Sequence, residues 1–392
     1  MPFRSLNSWS SEGSLKSNNM KKLFATAVVF VLAAGAMSCN GIGRSQQTNI
    51  EDSLAADTIE KHISMLFCGD LMQHEPQIRA AQQTDGTFDY TECFQFVKPE
   101  IERADVAVGN FEVTLGGKPY KGYPQFSAPD EYLGAAVDAG FDVLQTANNH
   151  CLDTYQRGLQ RTIAKMDSLK VSHLGTYVNQ QVRDRTYPFL LEKNGFRIVL
   201  LAFTYGTNGL KVKAPNVVNY MDTVQIAKDI VKAKKMNPDV IIALPHWGIE
   251  YQLLPSAEQK MIAKWLLRKG VDHVIGGHPH VPQPIELRAG NHLVAYSLGN
   301  YISNQSKPNT YGGYMVRMEF TKKAGKTTLS DCGYKLYWVS RPADGGRKQY
   351  RIYPIDIEDS TLTVAERTKR NTFTTTVRNL FQKNNVGNIK EY

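Results

Sequence analysis

Along this chain five apolar runs each break off into a short polar signature. ISMLFC (63–68) leads into GDLMQH (69–74), ADVAV (104–108) into GNFE (109–112), and FDVLQT (141–146) into ANNHCLD (147–153). DVIIAL (239–244) leads into PHWGIE (245–250), and DHVI (272–275) into GGHPH (276–280). Runs of this length, rich in Val, Ile, Leu and Phe, predict buried strands. Further strands are predicted at 171–174, 196–203 and 292–297. Helical periodicity falls between them, at 94–103, 130–139, 156–169, 223–235 and 256–269. Gly140 and Gly270 stand where helix C-caps would end two of these. Strands alternating with helices predict a sheet-centred α/β domain over 61–305. Past it the pattern changes. Alternation at 314–321, 332–339 and 350–353 predicts a β-rich extension within 306–392, closed by a terminal helix near 361–382 whose threonines weaken it.

The N-terminus carries a different pattern. Met20-Lys21-Lys22 precedes an uncharged apolar stretch from Leu23 to Met37, then Ser38-Cys39-Asn40. A basic start, a short apolar core and a small residue before cleavage read as an export signal over 1–39, with Met20 as the start. The stretch is too short to span a bilayer comfortably. Cys39 sits at the position of an acylated lipoprotein cysteine, behind a loose lipobox, Ala36-Met37-Ser38; ordinary cleavage with a free Cys39 is the alternative. Residues 40–60 are polar, without apolar periodicity, and read as a tether. Together these features predict an exported lipoprotein anchored at the bacterial cell envelope.

The formal charge is +9. Arg4, Lys16, Lys21 and Lys22 against Glu12 account for three of those charges, leaving +6 after Ser38. Such a balance suits an anionic polymer or membrane surface, although solvated surface lysines explain most of it. No Lys/Arg block interleaved with aromatics occurs, which argues against nucleic acid. Beyond Cys39, four cysteines remain without disulfide or metal-site spacing; Cys68 and Cys151 read as small buried fillers.

The five junctions place Asp, Glu, Asn and His side chains at strand ends, where an α/β sheet builds a site. Asp70 is a ligand candidate, or the start of an Asx turn after Gly69. Glu112 is the candidate bridging carboxylate, with Asn110 holding its loop. Adjacent Asn148 and Asn149 after a buried strand need hydrogen bonds or a metal to offset their burial, and an amide oxygen ligates Mn, Mg or Fe. His150 then falls beside the metals, suited to protonating a leaving oxygen. Asp153 either orients His150 or caps the helix from Gln156, and capping is the preferred reading. His246 follows a buried strand. Trp247 either walls the cleft or is core. His278 and His280, two apart in a loop taken as extended, face one way. Glu250, Gln283 and Asn300 complete the rim expected to meet substrate, with Asn110, Asn148 and Trp247. The predicted cofactor is a divalent metal, two ions of Mn, Fe, Mg or Zn. No GxSxG, HExxH, Walker A or GxGxxG motif is present.

GDLM, GNFEVTL, ANNHCLD, HWGIEY, GGHPHVPQPIE and YSLGNYI, in this order over 62–305, closely resemble the CapA family of capsule biosynthesis proteins. The best-known members of that family act in poly-γ-glutamate production, and the family is related to the calcineurin-like metallophosphatases. The resemblance implies a four-layer α/β/β/α sandwich around two metals. It implies one metal near Asp70, Glu112 and His280, and a second near Glu112, Asn149, His246 and His278. It also implies His150 as acid or transition-state contact. Two positions depart from the metallophosphatase pattern. Met72 stands where a histidine is usual, so that either His74 substitutes or the first metal is weakly held. Glu112 stands where Asp is usual.

Two readings follow. The first is a cell-surface, metal-dependent hydrolase acting in capsule polymer synthesis, in which a metal-bound hydroxide attacks a phosphoester or amide bond. The second is a non-catalytic polymer-binding or export subunit of a membrane synthase. The implied partners are an anionic polymer, capsule synthase components and, through the lipid, a membrane.

Overall fold

Each apolar run becomes a buried strand in the computed structural model, which describes residues 59–392. The export segment, Cys39 and all but the last two residues of the tether lie outside the described residues. β1 (Lys61–Leu71), β2 (Val106–Phe111), β3 (Val143–Gln145) and β4 (Ser172–Leu174) pair in parallel. β5 (Thr176–Tyr177) forms a small ribbon outside this sheet. β6 (Phe189–Lys193) and β7 (Phe196–Thr204) begin a second sheet as an antiparallel pair. β8 (Val217–Val218) is the ribbon partner of β5. β9 (Val240–His246), β10 (His273–Ile275), β11 (Ile285–Arg288) and β12 (His292–Ala295) complete the second sheet, in the order β11-β12-β10-β9-β7-β6. β13 (Asn300–Ile302), β14 (Gly312–Lys323), β15 (Lys326–Ser340), β16 (Arg351–Pro354) and β17 (Lys390–Glu391) return to the first sheet.

Side-chain alternation along the strands sorts the core into layers. In β1, Met65 and Phe67 join a core shared with Ile198, Leu200 and Ile242 of the second sheet. Leu66 and Cys68 point the other way, into a core with Phe94, Ile101, Tyr132, Leu133 and Ala136 from the helices Thr91–Phe94, Lys98–Glu102 and Asp130–Asp138. The outer face of the second sheet receives Ile226 and Ile230 from the helix Thr223–Lys234, and Ile262 and Leu266 from the helix Ala257–Arg268. The result is four layers, α/β/β/α. Cys68, Cys93 and Cys151 are buried free thiols within them. Among the described residues no helix is long and apolar enough to cross a membrane.

Several elements differ from the sequence reading. The helix read at 94–103 is two short helices, Thr91–Phe94 and Lys98–Glu102, because Pro99 fits the first turn of the second but, without an N–H, cannot sit inside one continuous helix. The terminal helix, Val364–Asn384, forms despite its threonines. Thr363 and Glu366 cap it reciprocally, and Phe373, Val377 and Phe381 give it a buried stripe. The strands of 306–392 are no appendage. β14 pairs antiparallel with β1 from Lys61↔Lys322 to Phe67↔Val316, so the first sheet runs unbroken across residue 305. Without β14, β1 would be an edge strand with a free row of amides.

Past Phe67, β1 leaves β14 and takes β13 as its partner, with Asp70 opposite Asn300. Gly69 sits at this crossing, where a Cβ would stand 2.0 Å from the Gly299 carbonyl oxygen. The exchange of partners turns Asp70 toward the edge where the parallel strands of both sheets end.

Candidate metal centre

At that edge the two sheets meet through side chains. Asp70 is the penultimate residue of β1, Asn110 and Glu112 lie at the end of β2, and His246 closes β9. Asn110 ties them together. Its Nδ2 donates to Asp70 Oδ1 (2.8 Å) and Glu112 Oε2 (3.0 Å) and lies 3.3 Å from His246 Nδ1. Its Oδ1 accepts from Asn148 Nδ2 (3.1 Å), which also donates to the Phe111 carbonyl (2.9 Å). Asn148 Oδ1 accepts from the His150 backbone N–H. Both asparagines are spent on holding the loops, and Asn148 is fully buried.

Two groups of potential ligands share Glu112. Glu112, His278 and His280 form one, and Asp70, Glu112 and His246 the other; in each, the ligand atoms lie within 4.8 Å of one another. Glu112 Oε1 is 3.4 Å from His246 Nε2 and 3.8 Å from His280 Nε2. Asn149 Oδ1 lies 2.7 Å from His246 Nε2, which puts an amide oxygen on the same centre. Glu112 Oε1 and His278 Nδ1 are buried without a hydrogen-bond partner, an arrangement that is costly unless a cation satisfies it. The donor set, carboxylates, imidazoles and one amide oxygen, fits a divalent metal.

The electrostatics agree with that fit. Burial pushes the Asp70 carboxyl up, but His280, His246 and Asn110 outweigh it and hold it below the usual carboxylate range. Burial, reinforced by His246, His280 and His150, holds His278 well below the usual histidine value, so its ring is neutral and able to ligate. Burial pulls His280 down, but Glu112 and Asp70 lift it to about 9. Its Nδ1 sits 3.1 Å from both Asp70 Oδ2 and Asn300 Oδ1. Asn300 is therefore a buried neighbour behind His280, not a rim residue.

The loop carrying the two histidines is not extended. His278 and His280 have φ of 99° and 59°, in the left-handed region that non-glycine residues avoid. Such strain persists only where the surroundings fix it, and it clusters at functional sites. Gly277 leaves room for the turn, since a Cβ there would stand 2.8 Å from Asp70 Oδ1.

Beside the ligands, His150 Nδ1 and Asp153 Oδ2 are 2.7 Å apart, both buried. Asp153 Oδ2 also accepts from the Phe126 N–H (2.7 Å). Burial pushes the Asp153 carboxyl up despite these bonds. Asp153 does not cap the following helix, Tyr155–Ser168, whose N-cap is Thr154. It orients His150, against the preferred sequence reading, because the chain turns back between them and Asp153 Oδ2 is taken by the His150 ring and the Phe126 N–H. His150, Asp153 and Asn149 line a cleft of about 490 Å³ with Tyr123, Pro124, Gln125, Asn208, Leu210 and Glu250.

Three sequence candidates lie elsewhere. His74 is in neither ligand group. Its Nδ1 meets the Asn304 N–H (3.2 Å) and Gln77 Oε1 (3.1 Å), and its ring stands edge-on to Phe126. Burial pulls it down to about 4. Trp247 is core, 1% exposed, with its indole N–H donating to the Tyr296 carbonyl. Gln283 is buried and binds the carbonyls of Gln252 and Leu254, bracing that loop. Replacing His74 by alanine is expected to cost about 0.5–1.5 kcal/mol of stability through the lost bond from the Asn304 N–H and to leave metal stoichiometry at the wild-type value. Metal analysis of the purified variant checks this, and loss of one ion would make His74 a ligand.

Other residues at the site carry no motif. Asn208 touches Asn149 and His150. Phe126 packs its ring 4.6 Å from His150, and Tyr205 packs 4.4 Å from His278. They come from loops whose sequences look like any polar turn.

Comparison with known proteins bears on this arrangement. A family model described as bacterial capsule synthesis protein PGA_cap matches residues 64–305. The capsule biosynthesis protein CapA of Bacillus anthracis is 30% identical over 267 residues, 65% of this chain, and the chain spans 63% of that relative's length. The PGA biosynthesis protein CapA of Bacillus subtilis (strain 168) is 25% identical over 356 residues, covering 88% of this chain and 83% of that one. Among solved structures, the calcineurin-like phosphoesterase YfkN of Bacillus subtilis aligns with 17% identity and a TM-score of 0.40, over 83% of this chain and 99% of that one.

Proposed function

The chain belongs to the bacterial capsule synthesis protein PGA_cap family, and from that premise we propose that it is a metal-dependent hydrolase of the cell envelope, cleaving a phosphoester or amide bond during synthesis of an anionic polymer of the poly-γ-glutamate type. One observation carries this reading. Glu112 belongs to both ligand groups, and the His150–Asp153 pair lines the cleft beside them. Glu112, His278 and His280 would hold one ion, and Asp70, Glu112 and His246, with the Asn149 oxygen, the other, so that Asp70 and His278 stand in exchanged groups relative to the assignment the resemblance implies. Bound divalent ions supply Lewis acidity and let water act as a nucleophile at neutral pH. The chain's own residues supply the rest. Asp153 takes the Nδ1 proton of His150 as a hydrogen bond and fixes the ring. Nε2 then delivers a proton to the leaving oxygen or nitrogen. Phe126 packs edge-on against the ring and helps hold it in place. The basic and apolar N-terminal pattern ending at Cys39 supports export and a lipid anchor, which would bring the cleft to a membrane-bound synthase and its polymer.

The test is hydrolysis of phosphodiester and γ-glutamyl substrates by purified protein of known metal content. His150→Ala is expected to lower kcat by about 10²–10⁴-fold with metal content unchanged. Full activity in the variant removes His150 from the mechanism. A wild type that binds metal and turns over neither substrate class favours the polymer-binding subunit instead.

A further inference from the structure

The loop after β7 places one side chain against both halves of the site. Asn208 accepts from Asn149 Nδ2 through its Oδ1 (3.2 Å), and its Nδ2 lies 3.4 Å from His150 Nδ1. The turn that presents it is built for the purpose. Thr207 Oγ1 donates to the Leu210 carbonyl, the Leu210 N–H returns to the Thr207 carbonyl, and Asn208 itself sits at φ 48°. Asparagine tolerates this left-handed conformation better than most residues.

The two ends of an asparagine amide are nearly the same shape, but only the oxygen ligates a metal. Asn149 Oδ1 faces His246 Nε2 at 2.7 Å. Among the described residues, the acceptor that its Nδ2 finds is Asn208 Oδ1. Turned over, the Asn149 amide would present N–H groups to the cation and its oxygen to the Asn208 carbonyl, and both contacts are repulsive. Resting on the metal-centre reading above, we infer that Asn208 is a positioning residue, which locks the Asn149 amide with its oxygen toward the second metal.

The experiment is a calorimetric titration of the metal-free protein with Mn²⁺ and, separately, Zn²⁺, in wild type, Asn208→Gly and Asn208→Asp. Glycine adopts φ 48° without strain, so Asn208→Gly removes the amide and leaves the turn. Asn208→Asp keeps an acceptor oxygen for Asn149 Nδ2. Losing a partner that orients a ligand weakens metal affinity by about 10–100-fold, and that loss is expected at one site, the one Asn149 serves, in Asn208→Gly alone. Asn208→Asp is expected to stay within about threefold of wild type, since the orienting contact survives. Wild-type affinity in Asn208→Gly overturns the inference, as does an equal loss in both variants. A lower melting temperature at unchanged affinity would also overturn it, by showing a merely structural role. A wild type that takes up neither metal fails one step earlier. It removes the metal centre itself, and the positioning role with it.

Discussion

Glu112→Gln is expected to abolish metal binding at both ligand groups while keeping its fold. The carboxylate belongs to both ligand groups, so replacing one oxygen by an amide nitrogen damages two sites at once. Losing a mere neighbour of a ligand weakens binding up to about a hundredfold; losing the shared ligand is expected to exceed that at each site. The substitution is nearly isosteric, and an amide oxygen still accepts from Asn110 Nδ2. The cooperative melt and the far-UV spectrum should therefore persist. The same titration reads proton competition. Burial opposes charge on His280, but Glu112 and Asp70 raise it to about 9. Below that pH a cation must displace its proton, so wild-type affinity is expected to rise as pH climbs toward about 9. One metal retained at wild-type affinity in Glu112→Gln would mean that the carboxylate does not bridge.

How far the sequence carried this picture depends on the range of the interaction. The strand cores were legible because a buried parallel strand is a continuous apolar run, and 196–203 or 273–275 needed little else. The polar residues after the runs were legible as a site because strand ends in an α/β sheet share an edge. Pairing across the sheet was not. Nothing local in 312–323 says that this strand lies against β1 and makes 306–392 part of the first sheet. The role of Asp153 was open because an Asp three residues after a histidine and just before a helix has two equally local partners, and the turn through Thr154 decides between them. Asn208 and Phe126 were invisible, since a single Asn in a Gly-flanked turn or a Phe two residues past a proline has many explanations. They join the candidate site only when folding sets them against His150. His74 misled for the reverse reason. It is near in sequence to Asp70, but the helix it caps, Glu75–Ala81, carries its Nδ1 to Asn304.

Trp247 offers the sharpest separation of a core role from a cleft role. It follows His246, so the sequence allowed it to wall the substrate site. In the structure its indole N–H donates to the Tyr296 carbonyl (2.9 Å), its ring lies 6.3 Å from that of Tyr296, and its backbone N–H donates to the Gly277 carbonyl. Gly276 is packed so closely beneath it that a Cβ there would stand 2.4 Å from the indole nitrogen. Trp247→Ala is therefore expected to destabilise the fold by about 3–5 kcal/mol, the cost of a large aromatic cavity. Collapse into that cavity would also shift Gly276 and Gly277, and so weaken cation binding by His246 and His278 in the folded fraction. Trp247→Phe keeps most of the packing and loses the N–H bond, a net cost of about 0.5–1.5 kcal/mol for the bond, with KM unchanged. Urea melts and steady-state kinetics of the two variants check both parts. A Trp247→Ala melt within about 1 kcal/mol of wild type, far short of a cavity's cost, combined with a raised KM, would put the indole on the cleft wall and out of the core.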